Sequence, residues 1–139
     1  DAAATALLHD GDWIRTGDLM RRDEQGRYRL LGRTSLFIKT TSTDCVSPQE
    51  IEAVLEQHPA VLEAAVAGRA DAHGGERIEA LLVLREGIAG DWEREMADFV
   101  RERLGAGRVP RRFQPAATIP RNASGKILRK QLSELIAHD

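Results

Sequence analysis

Two apolar runs, residues 61–67 and 78–84, set the tightest limit on how this chain can fold. Both are rich in Val, Ile, Leu and Ala, and neither alternates cleanly between polar and apolar positions. Runs of this length and composition read as buried strands. The strand pair therefore needs helices to cover it. His73-Gly74-Gly75 falls in the loop between the runs, so the two strands are joined by a Gly-rich connection.

The cover is legible on either flank. Ser47-Pro48-Gln49-Glu50 reads as a helix start. Ser sits at the cap, Pro at the first helical position, and Glu three residues after Ser completes a capping box. Ile51, Val54 and Leu55 then face the core, and Pro59 follows the end. Asp91 caps a second helix that runs to about Leu104, with Trp92, Met96, Phe99, Val100 and Leu104 on one stripe. Gly105 and Gly107 end it. Ile127, Leu128, Leu132, Leu135 and Ile136 fall at helical spacing and predict a third helix at the C-terminal end. Short strands are expected over residues 36–38 and within 113–119, where Pro115 argues for a sheet edge. Upstream, residues 13–14 and 28–31 read as two strands of one hairpin around a turn at 21–26. The expected class is α+β: an α/β sandwich in which about three helices cover a small mixed sheet, preceded by that β-hairpin.

Charge is distributed unevenly. Residues 1–100 carry 11 basic and 19 acidic side chains, net −8, whereas residues 101–139 carry 9 basic and 3 acidic, net +6. The basic end, with Arg108, Arg111, Arg112, Arg121, Lys126, Arg129 and Lys130, is either a solvated face or an attractor for an anion. Nucleic acid is excluded as the partner, because aromatic residues make up only 4% and none interleaves with the charges. No apolar run approaches the roughly 20 residues of a membrane span, and no signal peptide is visible. The single cysteine, Cys45, rules out an internal disulfide and fits a reducing, cytoplasmic setting. Cys45 reads as a small half-buried residue. The four histidines are scattered without metal-ligand spacing, so no metal site is expected.

Four short motifs carry the chemistry. Residues 13–19 read WIRTGDL, 26–33 read GRYRLLGR, 46–55 read VSPQEIEAVL, and 120–132 read PRNASGKILRKQL. In the last, Gly125 permits a tight turn, and Lys126 follows it on a loop based on a packed helix. This suits an ammonium that reaches a phosphate or carboxylate. In the first, Asp18 is a turn residue or a carboxylate able to accept two hydrogen bonds from a vicinal diol. Glu50 reads as part of the cap and Glu52 as solvated.

The order T-G-D, G-R, P-x-E-I-E and P-x-x-x-S-G-K resembles the C-terminal part of the adenylate-forming enzymes, over residues 12–132. The stretch PRNASGK, 120–126, resembles the acyl- and aryl-CoA synthetase branch, as does Ile38-Lys39-Thr40 with Ser47-Pro48-Gln49. The resemblance implies residues 1–33 as the end of an N-terminal adenylation domain, 34–35 as a hinge and 36–139 as a C-terminal lid domain. It implies Lys126 as the catalytic lysine of adenylation, Asp18 as a ribose ligand, and Arg33 and Thr16 as nucleotide contacts. Ser35 occupies the hinge, where Asp or Lys is usual. Ser42 and Thr43 occupy the thiol-acceptor loop, where Gly is usual; such residues take up positive φ poorly. ATP with Mg2+ is implied as cofactor, held mainly by the N-terminal domain, with a carboxylic acid as substrate and coenzyme A or a carrier-protein phosphopantetheine as acceptor. The implied activity is an AMP-forming acid–thiol ligase, and the part in hand is expected to be inactive alone. Two other readings stay open: a non-catalytic module that binds an acidic carrier protein, and a peptide-synthetase adenylation domain.

Overall fold

The structure, a computed structural model, describes residues 9–41 and 45–136. The chain divides into two compact units, Asp1–Phe37 and Ile38–Asp139.

The first unit holds two antiparallel hairpins. β1 (His9–Asp10) pairs with β2 (Trp13–Ile14), and β3 (Asp18–Arg22) pairs with β4 (Tyr28–Arg33). This corrects the expected pairing of residues 13–14 with 28–31. The true partner of Tyr28–Arg33 is the segment DLMRR, whose two arginines masked its strand character. Its solvated side can carry them because little of this unit is buried. Asp23 closes the turn: its carboxylate accepts from Gln25 and Arg27 N–H at 3.0 and 2.9 Å. A register shift lies between Leu19 and Met20, with Gly32 at φ 139 opposite Leu19. Trp13, Tyr28 and Leu30 are 80%, 68% and 60% exposed. Residues 34–36, expected as hinge and strand start, form a short 3-10 turn, Thr34–Leu36.

The second unit is built on the predicted strand pair. β7 (Val61–Ala70) and β8 (Glu76–Leu84) are antiparallel, from Val61 opposite Leu84 to Ala70 opposite Glu76. β9 (Arg112–Pro115) adds in parallel to the far edge of β8, so Pro115 ends an edge strand as its missing N–H requires. A small hairpin, β5 (Ile38–Lys39) with β6 (Cys45–Val46), lies beside the sheet, where Lys39 N–H donates to Glu76 Oε2 at 2.8 Å. Cys45 is exposed, not half-buried as expected, because Val46 takes the inward position of that two-residue strand.

Three helices cover the sheet, as expected: α1 (Pro48–Leu55), α2 (Trp92–Leu104) and α3 (Arg129–Leu135). On one face, Ile51 and Leu55 of α1 and Met96 and Val100 of α2 pack on Val61, Ala64, Val66, Ile78, Ala80, Leu82 and Phe113. On the other, Leu132 and Ile136 pack with Ile119 on Ala65, Ala67 and Leu81. Both faces of β7 and β8 are thus buried, which is why their sequence shows no alternation. The Asp91 cap forms, accepting from Arg94 N–H at 3.4 Å. The capping box at Ser47 does not: Ser47 makes no side-chain cap bond, and Glu50 pairs with Arg108 at 3.3 Å. Glu52 is 7% exposed, so its reading as solvated is also corrected.

Candidate functional site

The candidate residues fall in two clusters, one in each unit. In the first unit, strand pairing sets Asp18 directly opposite Arg33. Arg33 Nε lies 3.0 Å from Asp18 Oδ1, and Arg33 Nη1 donates to the carbonyl of Thr16. Asp18 N–H donates to Thr16 Oγ1 at 3.3 Å. The carbonyl of Gly17 accepts both the N–H of Thr34 at 2.8 Å and its hydroxyl at 3.0 Å.

Two glycines make this possible. Gly17 has φ 74, a conformation that other residues rarely adopt. Gly32 takes φ 139 at the register shift, a bulge that re-aims the strand end so that Arg33 faces Asp18. The Asp18 side chain remains 23% exposed. Its Oδ1 is engaged by a cation, while Oδ2 has no hydrogen-bond partner among the described residues. A carboxylate held in this way can accept from a hydroxyl.

In the second unit, Lys126 sits on a loop organised by one side chain. Asn122 Oδ1 accepts from Ser124 N–H at 3.0 Å, Ser124 Oγ at 2.8 Å and Lys126 N–H at 2.9 Å. Backbone bonds add closure: Asn122 N–H to Lys126 O and Gly125 N–H to Asn122 O, both 2.9 Å. Gly125 takes φ 79, as its expected turn role requires. Arg121 braces the loop from outside, donating to Gly125 O at 3.0 Å and to Glu63 Oε2 on β7 at 2.9 Å. Lys126 itself is exposed, and its ammonium has no ion pair among the described residues. The backbone is fixed while the charge stays available.

Sequence reasoning did not single out Asn122, although its signal was present. Asn two residues before Ser and three before Gly is the pattern of a side chain that mimics a backbone turn. Ser35 lies exposed in the 3-10 turn. Ser42 and Thr43 lie outside the described residues. Among the described residues no three His, Cys, Asp or Glu side chains could hold a metal ion. The acidic donors that Mg2+ prefers are therefore not gathered in the described part of this chain.

A family model described as the AMP-binding enzyme C-terminal domain matches residues 50–126, more than half of the chain, ending on Lys126. The chain belongs to that family. The 2-succinylbenzoate–CoA ligase of Bacillus velezensis is 39% identical over 135 residues, covering 97% of this chain and 27% of that protein. Among solved structures, the o-succinylbenzoate CoA synthetase of Bacillus subtilis, in complex with an acyl-adenylate intermediate, superposes with TM-score 0.82 at 36% identity, over 95% of this chain and 26% of that one. An amide bond synthetase of Marinactinospora thermotolerans superposes with TM-score 0.81 at 33% identity, over 98% and 27%. The chain thus spans about a quarter of the length of these relatives. Both the α+β class and the membership of the adenylate-forming enzymes read from the motifs are borne out. No helix among the described residues is long and apolar enough to cross a membrane.

Proposed function

We propose that this chain is the C-terminal part of an ATP-dependent carboxylic acid ligase of the acyl- or aryl-CoA synthetase type. A carboxylate attacks the α-phosphorus of ATP, giving an acyl-adenylate and pyrophosphate. A thiol, from coenzyme A or a carrier-protein phosphopantetheine, then displaces AMP to give a thioester. The observation that carries this reading is the family match that runs from α1 to Lys126, on a chain similar over 97% of its length to a CoA ligase.

Each residue has a role in that scheme. Lys126 neutralises the charge that develops between the acid and the phosphate in the first step. Asp18 binds the ribose hydroxyls, with Arg33 and Thr16 completing the nucleotide contact; the ion pair between Asp18 and Arg33 supports this, because it orients the carboxylate. Ser35 is the hinge of the 36–139 lid domain. The exposed Trp13, Tyr28 and Leu30 support assigning residues 1–33 to a larger N-terminal domain that covers them. Mg2+ would be held mainly by that domain and would offset the charge of the phosphates. Ser42 and Thr43 form the loop that meets the acceptor thiol. The setting is cytoplasmic, where ATP and coenzyme A are available.

The test is acid-dependent exchange between ATP and pyrophosphate in the full-length protein containing this chain. A cation about 4 Å from the reacting phosphate, at an effective dielectric of ~20, contributes about 4 kcal/mol. Since about 1.4 kcal/mol is a factor of ten in rate, Lys126→Ala should lower exchange roughly a thousandfold. Unchanged exchange in that variant overturns the assignment.

A further inference from the structure

Glu52 and Arg129 are 77 residues apart in sequence and meet in a partly buried ion pair that closes one edge of the sheet. Arg129 Nη1 lies 2.6 Å from Glu52 Oε1, and Nη2 lies 3.0 Å from Oε2, so the guanidinium grips both oxygens. The side chains are only 18% and 10% exposed. Both ions also bind Val66 of β7: Glu52 Oε1 accepts its N–H at 2.8 Å, and Arg129 Nη1 donates to its carbonyl at 2.6 Å. β7 is an edge strand, and Val66 turns both backbone groups away from β8. The pair therefore supplies the hydrogen bonds that a further strand would supply.

The location matters more than the edge. Arg129 is the first residue of α3 and lies three residues after Lys126. The Lys126 segment is fixed on its other side by Asn122 and by Arg121. Between these anchors only Ile127 and Leu128 intervene, and Leu128 N–H is bound to Pro120 O at 2.9 Å. A seven-residue helix is too short to hold its own first turn. The start of α3 is fixed by the bond from Leu128 N–H to Pro120 O and by the grip of Glu52 on Arg129.

We propose that Glu52 and Arg129 are positioning residues for Lys126: the pair holds the lysine segment at one height above β7, so that the ammonium reaches the reacting phosphate. This rests on the adenylating role given to Lys126 above. A guanidinium stripped of its counter-ion in this half-buried site would move toward water and carry the start of α3 with it. The lysine would then sample positions away from the phosphate, and the loss would appear in kcat. Substrate binding by other groups would be unaffected.

Glu56 provides the control. It sits one turn further along, and its Oε1 accepts Ala64 N–H on the same strand edge at 3.3 Å. If the ion pair only covers the edge, Glu56→Ala and the ion-pair variants should behave alike.

The experiment compares Glu52→Gln, Arg129→Lys, Glu56→Ala and Lys126→Ala in the full-length protein, by ATP–pyrophosphate exchange at least 15 °C below each variant's Tm. Glu52→Gln keeps the acceptor for Val66 N–H but removes the charge. Arg129→Lys keeps the charge but cannot span two oxygens. We expect both to lower kcat 10- to 100-fold with the KM for ATP within twofold, while Glu56→Ala lowers Tm and leaves kcat within threefold. The inference fails if the ion-pair variants change Tm alone, if they match Glu56→Ala, or if neither folds, since the pair is then structural only. Normal exchange in Lys126→Ala would instead sink the functional reading, and the inference with it.

Discussion

Replacing Asn122 by Ala tests how the Lys126 loop is held, and does so without any assumption about the reaction. The substitution removes three hydrogen bonds at one atom, those from Ser124 N–H, Ser124 Oγ and Lys126 N–H. It leaves the backbone bonds between Asn122 and Lys126 and between Gly125 and Asn122. An exposed hydrogen bond contributes about 0.5–1.5 kcal/mol net, so loss of the two backbone donors' partner should ease loop opening by about 1–3 kcal/mol. At about 1.4 kcal/mol per factor of ten, amide exchange at Lys126 should quicken roughly 5- to 140-fold. NMR-detected hydrogen exchange on this chain reads that rate directly. Amides of β7 and β8, such as Ala65 and Leu81, serve as internal references because they lie buried where the two strands pair. Asn122→Asp retains an acceptor in the same place and should keep exchange near the parent rate. If Asn122→Ala leaves Lys126 exchange within twofold, or if Asn122→Asp quickens it as much, the side chain is not what organises the loop.

Two further outcomes follow from the packing and the turns. Leu132 is fully buried against Ala65, Leu81 and Ile119, and Leu132→Ala should cost about 2–5 kcal/mol in urea unfolding; a loss under about 1 kcal/mol would mean that α3 is not docked on that face. Asp71, in the turn between β7 and β8, has its carboxyl held below the usual range, first by the N–H of His73 and then by its imidazole. A depressed carboxyl stabilises the fold above its ordinary pKa, and that contribution fades as pH falls through the lowered value. The Tm gap between the parent chain and Asp71→Asn should therefore narrow from pH 7 to pH 3, and a gap that holds constant refutes the role given to the carboxylate.

The elements that could be read in the sequence are those whose information is local. β7 and β8 announced themselves because both faces are covered, so apolar residues dominate residues 61–67 and 78–84, with Glu63 and Glu79 as the exceptions. α2 did so because its cap, stripe and terminal Gly105 are contiguous in sequence. β3 was missed for the opposite reason. Its partner β4 sits on a scaffold that buries few side chains, so burial wrote no pattern into DLMRR. The capping box at Ser47 was a reasonable local reading that lost to a distant partner: Glu50 is drawn to Arg108, 58 residues away.

The same division runs through the candidate site. Lys126, Asp18 and Arg33 stand in short motifs and can be found by reading along the chain. Of the groups that fix them, Asn122 is local and could be read, but the others act across a long loop: Arg33 reaches Thr16 over 17 residues, Arg121 reaches Glu63 over 58, and Arg129 reaches Glu52 over 77. A glutamate on a helix reads as solvated whenever its partner is outside the window, and Glu52 was misread on that ground. Yet the misreading was open to a physical check. Glu52 lies one residue after Ile51 and three before Leu55, both wholly buried, so at 100° per residue it borders the buried face. A charge placed there must find a counter-ion, and the basic end of the chain, with Arg129 at the foot of the lysine loop, was the place to look.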